Sequence, residues 1–256
     1  MAKPTFLNHE HSLLTCMVQA RTPERIRELI SLSIPEGAEA FGMQFSTLAG
    51  ESRNSRGYRE LFSFAAPYPV YVTNYRNHDN RGKSDETLAA ELIELAECGA
   101  SLCDVMGDYF DPCEDELTMN EEAVKKQMKL IDTLHEKGAE VLMSSHMQKF
   151  LPAERVLEMA FEQKKRGADI CKIVVKASDM EQQIEYLRIV NLLKKELGIP
   201  FLFLTGGECH IARRLGGSLG NCMTLCVYEH DAYATAVQPL LREMKIIRDY
   251  MEGKKK

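Results

Sequence analysis

Two side chains near the middle of the chain have the types that carbonyl chemistry needs. Positions 167–174 read GADICKIV and set Lys172 inside a short apolar run. An ammonium buried without a partner is costly enough that it either finds a carboxylate or loses its proton. A lysine freed of its proton by desolvation attacks ketones through a Schiff base. The plain alternative is a strand-end lysine whose stem packs while its head stays in solvent. The preceding apolar run ends in MSSHM, which carries His146. An iminium on a lysine acidifies the neighbouring carbon, and histidine, titrating near neutrality, is suited to move that proton. Taken alone, His146 reads as a structural side chain that bonds a loop. Paired with Lys172 at neighbouring strand ends, it reads as an acid–base group.

The elements that must hold these residues alternate with little interruption. Strand-like runs begin at Ser12 (SLLTCMV), Ala38 (AEAFGMQF), Tyr68 (YPVYVTN), Ala100 (ASLCDVM), Ala139 (AEVLMSS), Ala168 (ADICKIVV), Pro200 (PFLFLT) and Asn221 (NCMTLCV). Segments of helical period lie between them, with Ser84, Asn120 and Pro152 heading three helices that end at or near a glycine. In the helix after the sixth strand, Tyr186, Val190, Leu193 and Leu197 recur at spacings of three and four and make one buried stripe. Eight such units predict an α/β fold, a (β/α)8 barrel formed by residues 1–256 as a single domain. An open doubly wound sheet competes, but no glycine fingerprint follows the first strand.

In such a barrel, chemistry gathers at the C-terminal strand ends. That rule selects Gln44 and Ser46, Arg76 with the loop containing Asn80, Asp104 and Met106, His146, Lys172 and Lys176, Arg213 and Arg214, and Tyr228 to His230. Lys172, Val174 and Lys176 share one face because side chains alternate along a strand. The segments AGESRNSRG from Ala49 and DYFDPCEDELTMN from Asp108 read as mobile loops.

Composition narrows the classes of partner. With 256 residues, 45% of them hydrophobic, the chain can bury a substantial core. Its formal charge of −6 is interspersed, so no basic stripe suggests nucleic acid, and Lys254–Lys256 reads as a frayed tail. No apolar run reaches a membrane span and MAKPTFLNHE lacks a signal-peptide core, so a cytoplasmic location is expected. Eight cysteines without a CxxC pair read mostly as reduced core residues. His78, Asp79, Glu208, Cys209 and His210 offer metal-binding atoms, yet their spacing matches no ligand motif, and no metal is expected.

The stretch VLMSSHMQKFLPAERVLEMAFEQKKRGADICKIVV resembles the central block of the type I 3-dehydroquinate dehydratases, as RRLGGSLGNCMTL resembles their segment after the seventh strand. The likeness runs from about His11 to Tyr250. It implies a (β/α)8 barrel and a lyase that turns 3-dehydroquinate into 3-dehydroshikimate and water through a Schiff base. That step belongs to the shikimate route to aromatic amino acids and uses neither metal nor organic cofactor. By this resemblance Lys172 forms the imine, His146 is the general acid and base, and Arg214 clamps the substrate carboxylate. Arg76 and Asp104 fall at positions where the family has a substrate-binding arginine and an acid, and the family's bacterial members imply a homodimer.

The departures cluster in the site. Gly42, Gln44 and Ser46 stand where the family has a Glu-x-Arg-x-Asp pattern, and Asn80 stands by position for the glutamate that orients the histidine. Met106 replaces a second acid, Lys176 adds a cation, and EHDAYATAVQ shows no Ser-Ala-Pro-Gly-Gln closing loop. If every group faced inward, the pocket would be about three charges more positive, each worth roughly 3 kcal/mol at about 6 Å and an effective dielectric of about 20. Three readings follow: the named dehydratase, an imine-forming dehydratase or aldolase acting on a different keto acid or carbocycle, and a non-catalytic metabolite binder. The expected partner in each is a small molecule, with Gln44, Asn80 and Lys176 among the groups that hold it.

Overall fold

The computed structural model describes residues 3–208 and 210–253. Its strands are β1 (Leu13–Met17), β2 (Ala40–Gln44), β3 (Val70–Thr73), β4 (Leu102–Met106), β5 (Glu140–His146), β6 (Ile170–Ala177), β7 (Phe201–Gly207) and β8 (Met223–Cys226). The helices that follow them are α1 (Pro23–Ser33), α2 (Ser55–Ala65), α3 (Asp85–Cys98), α4 (Glu121–Glu136), α5 (Ala153–Lys165), α6 (Met180–Glu196), α7 (His210–Leu219) and α8 (Leu241–Met251). All strand pairs are parallel, in the order β7-β6-β5-β4-β3-β2-β1-β8. This is the (β/α)8 barrel that the alternating runs predict.

The seam between β7 and β8 closes differently from the others. Cys222 N donates to Phe201 O, and the Asn221 amide bonds both Phe203 N and Phe203 O, supplying with a side chain what a strand neighbour would supply. Buried backbone groups are thereby paired without a full ladder.

Helix starts follow the capping residues. Ser84 Oγ accepts from Thr87 N, Asn120 Oδ1 accepts from Glu122 N and Ala123 N, and Pro152 precedes α5. Each satisfied donor removes one of the orphan N–H groups at a helix start. The stripe of Tyr186, Val190, Leu193 and Leu197 is buried against the sheet as its spacing requires.

Inside the barrel, alternate residues fill the lumen. Leu102, Leu142, Ile170, Leu202 and Met223 form its apolar floor, and Phe6 from the N-terminal segment joins them. Above that floor the inward positions turn polar, with Asp104, Ser144 and Lys172 on β4, β5 and β6. The site is therefore a polar layer standing on a dry base.

Both segments read as mobile loops contain turns, a helix start or buried residues. The stretch from Ala49 contains a 3-10 turn at Gly50–Ser52 and the start of α2. In the one after β4, Asp108, Tyr109, Leu117 and Thr118 are buried. The seven cysteines described carry free thiols, five of them buried; Cys209 and the Lys254–Lys256 tail lie outside the described residues. No helix among the described residues is long and apolar enough to cross a membrane.

Candidate active site

Lys172 is 4% exposed and projects into the lumen. Its Nζ lies 2.7 Å from Tyr75 Oη, 3.0 Å from Tyr71 Oη and 3.2 Å from Asp104 Oδ2. Asp104 Oδ2 also accepts from both phenols, and Asp104 Oδ1 accepts from Ser144 Oγ at 2.5 Å. Burial drives the Lys172 ammonium below the usual lysine range, and Arg213 adds to that while Asp104 opposes it. The lysine is enclosed, and its partner is Asp104, reached directly and through two tyrosines.

A cavity of about 140 Å³ opens above Lys172 and is lined also by His146, Arg213, Gln44, Thr235 and Gln238. An adjoining hollow of about 440 Å³ shares Gln44, Tyr75 and His146 with it and adds Arg76, Met106 and Glu116. Lys172 and His146 thus face one space. Their strands are neighbours, with Ser144 paired to Lys172 and His146 to Val174.

His146 is oriented by Glu116, whose Oε2 accepts from His146 N at 2.8 Å and lies 2.9 Å from His146 Nδ1. A carboxylate there favours a proton on Nδ1 and leaves Nε2 as the working nitrogen. Burial pushes the Glu116 carboxyl up, but the bonds to the ring and backbone of His146, with the charges of His146 and Arg76, together outweigh it and hold the group below the usual carboxylate range. Glu116 has φ of +42°, a conformation that costs a non-glycine residue energy and persists only when its surroundings enforce it. They do: Ser145 Oγ donates to Glu116 O, and the buried Arg166 grips Thr118 O and Gly107 O. A Cβ on Gly107 would come within 2.5 Å of Glu116 O, so only glycine allows this approach.

Asn80 does not take the glutamate's place. It is fully buried, bonding Asn74 Oδ1 and Tyr75 O at 2.8 Å and accepting from Arg53, and its bonds brace the loop below the site. The orienting carboxylate comes instead from the β4–α4 segment, which barrel adjacency places beside the end of β5.

Arg214 also lies elsewhere. Successive helical residues point about 100° apart, and on α7 it is Arg213 that faces the cavity while Arg214 is exposed beside a separate hollow of about 220 Å³ near α8. Arg213 Nε donates to Thr205 O at 2.8 Å, and burial lowers its pKa to about 10. Lys176 is exposed, four residues and about 13 Å along the strand beyond Lys172. Arg76 lines the hollow but is committed to Asp85 at 2.7 Å through Nε and Nη2, and to Asp108 at 2.8 Å. Those bonds hold the β4–α4 segment in place. Gln44 and Asp104 lie at the site, Gln44 bonded to Gln19 at 2.6 Å.

Gly42 has a packing reason. A Cβ there would come within 2.1 Å of Met17 Sδ, so the Met17 thioether fills the space a longer side chain would need. Thr235 and Gln238, from a stretch with no recognisable closing motif, reach the cavity, with His230 Nε2 bonded to Gln238 O. Two buried atoms that lack a partner, Thr73 Oγ1 and Gln238 Oε1, belong to residues lining it. With Glu116 returning a carboxylate and Lys176 outside, the excess positive charge is smaller than inward-facing groups would give. Among the described residues no three metal-ligating side chains cluster, and Asp79 is paired with Arg21.

Comparison with known proteins bears on the barrel and on the family. The family model for type I 3-dehydroquinase matches residues 52–255, leaving β1 and β2 outside the match. A 3-dehydroquinate dehydratase of Alkaliphilus oremlandii is 33% identical over 92 residues, and one of Geobacillus thermodenitrificans 32% over 97. Those matches take in 35% and 37% of this chain and span 36% and 38% of the relatives' lengths, little more than a third. Among solved structures, the 3-dehydroquinate dehydratase of Geobacillus kaustophilus superposes with a TM-score of 0.82 at 13% identity, covering 100% of this chain and 98% of the other. The type I enzyme of Clostridium difficile, solved with covalently modified comenic acid, gives 0.78 at 15% identity, covering 96% and 95%. Likeness at such identity speaks for the barrel alone, whereas the family match extends over most of the sequence. The chain belongs to the type I 3-dehydroquinase family.

Proposed function

We propose that the protein is a Schiff-base lyase that dehydrates 3-dehydroquinate to 3-dehydroshikimate, with residues 1–256 acting as one barrel domain. The observation that carries this reading is a desolvated lysine amine facing the same cavity as a carboxylate-oriented histidine. The unprotonated Nζ of Lys172 attacks the ketone, and the carbinolamine loses water to give an iminium. His146 Nε2 then removes a proton from the carbon beside the iminium. The enamine so formed expels the β-hydroxyl, which leaves as water with the proton His146 has taken up. Hydrolysis of the conjugated iminium releases the product and restores the lysine. Arg213 holds the substrate carboxylate, while Gln44, Thr235 and Gln238 hold its hydroxyls. The same reading carries a cytoplasmic homodimer, checked by sedimentation and cell fractionation.

Borohydride reduction in the presence of 3-dehydroquinate, followed by peptide mass mapping, tests the proposal. The expected result is a substrate-dependent adduct on Lys172 that Lys172→Met abolishes. A second reading, the same imine chemistry on a smaller or less hydroxylated keto acid, is favoured by Met17 occupying the space beside Gly42. An adduct with such a keto acid and none with 3-dehydroquinate would select it.

A further inference from the structure

The proposed reaction needs two proton transfers at opposite ends of the imine, and the structure contains two acid–base pairs. His146 with Glu116 serves the carbon end. At the nitrogen end, an ammonium at Lys172 has three N–H bonds and three acceptors in reach: Tyr71 Oη, Tyr75 Oη and Asp104 Oδ2. In that state no lone pair is free, so the lysine cannot attack until its proton moves elsewhere. These three groups are the side chains that bond Nζ directly, so they are the nearest receivers. Asp104 is the only carboxyl among them, and both phenols already donate to its Oδ2.

The two tyrosines are not equivalent. Tyr71 is fully buried in the lumen floor, whereas Tyr75 is half-buried, has the shorter contact to Nζ and lines both the cavity and the adjoining hollow. Its ring also packs edge-on against His146, with centroids 5.4 Å apart. Tyr75 therefore stands between the amine and the space that His146 also faces.

We propose that Tyr75, backed by Asp104, is a catalytic acid–base relay for the nitrogen end of this reaction, an inference that rests on the imine reading. Tyr75 Oη takes a proton from the Lys172 ammonium as its own proton passes to Asp104 Oδ2, which frees the amine. The amine adds to the ketone, forming a C–N bond, and one N–H proton shifts through the phenol to the new alkoxide. The proton stored on Asp104 then returns through Tyr75 to the carbinolamine hydroxyl, the C–O bond breaks, and water leaves. One N–H remains on the iminium, so the lysine's charge of +1 is kept and Asp104 ends as a carboxylate. Neither oxidant nor external base is consumed.

Timed borohydride quenching of the full-length protein with 3-dehydroquinate, read as the Lys172 adduct by mass spectrometry, measures the step directly. If 3-dehydroquinate gives no adduct with the wild type, the same comparison is run with pyruvate. General acid–base groups contribute about 10²–10⁴-fold, so Tyr75→Phe should form the adduct at least about 100-fold more slowly, reaching the same final amount. Tyr71→Phe should slow it less. His146→Ala should form the adduct faster than Tyr75→Phe does, yet turn over least. If Tyr75→Phe fails to fold, 3-fluorotyrosine at position 75 keeps the shape and makes the phenol more acidic. The pH dependence of trapping should then move relative to wild type, and an unchanged profile would overturn the relay. Trapping by Tyr75→Phe within about twofold of wild type would also overturn it while leaving the imine chemistry intact. A wild-type protein that forms no adduct with either ketone would instead overturn the underlying imine reading.

Discussion

Replacing Glu116 by Gln should lower turnover about 30-fold. One carboxylate oxygen takes bonds from both the backbone and the ring of His146, at 2.8 and 2.9 Å. A bare Coulomb estimate at about 3 Å and an effective dielectric of about 20 is roughly 6 kcal/mol. The two side chains are 35% and 30% exposed, so solvent screening reduces that severalfold. A charge-assisted hydrogen bond of about 2 kcal/mol is the figure that remains, equivalent to about 30-fold in rate. The change leaves shape intact but removes the charge that fixes the ring's proton on Nδ1 and stabilises the imidazolium. The assay is kcat with 3-dehydroquinate, followed by ultraviolet absorbance of the conjugated product, beside timed trapping of Lys172. Turnover should fall well below the rate of adduct formation, because Glu116 acts on the carbon end. A kcat within twofold of wild type would refute the claim that Glu116 orients the histidine for catalysis.

Arg213→Ala should raise KM about 10- to 100-fold, the worth of a charged hydrogen bond of about 1.5–3 kcal/mol, while Arg214→Ala should leave KM within twofold; the reverse order would restore Arg214 as the clamp. Adduct formation should rise with pH along a limb below the ordinary lysine range, because burial lowers the folded pKa of Lys172. The linked sign for stability is positive: between that lowered value and the unfolded one, the unfolded chain binds more protons, so stability grows as pH rises. Denaturant titration of wild type against Lys172→Met measures the difference, and a wild-type slope that falls in that window would contradict the burial. For Glu116 the sign is the same and the cause differs: the folded state favours its charged form, so its depressed pKa contributes stability that is present above the ordinary carboxylate range and is lost as pH falls through the folded value. Gly42→Ala should destabilise by about 1–3 kcal/mol through overpacking, and by clearly less in a Met17→Ala background; equal penalties in the two backgrounds would show that Met17 is not what the new Cβ meets.

The succession of strands, the helix starts at Ser84 and Asn120, and the placing of Lys172 and His146 on neighbouring strands were legible in the sequence. Each depends on a local regularity: apolar period, capping chemistry, or a charged residue inside an apolar run. The enclosing tyrosines and Glu116 were not legible, nor was the choice between Arg213 and Arg214. Tyr71 on β3 and Tyr75 just past its end look like ordinary aromatics until closure of the barrel brings β3, two strands away from β6's neighbour β5, across the lumen to Lys172. Glu116 is one of several acids in a segment that reads as loose until Arg166 and Ser145 pin it. Arg213 and Arg214 are adjacent in sequence, and helix phase alone separates the residue facing the cavity from the one facing away. Local pattern determines which elements form and which of their faces is apolar; contacts across a closed barrel join residues a hundred positions apart, and only the tertiary structure decides those.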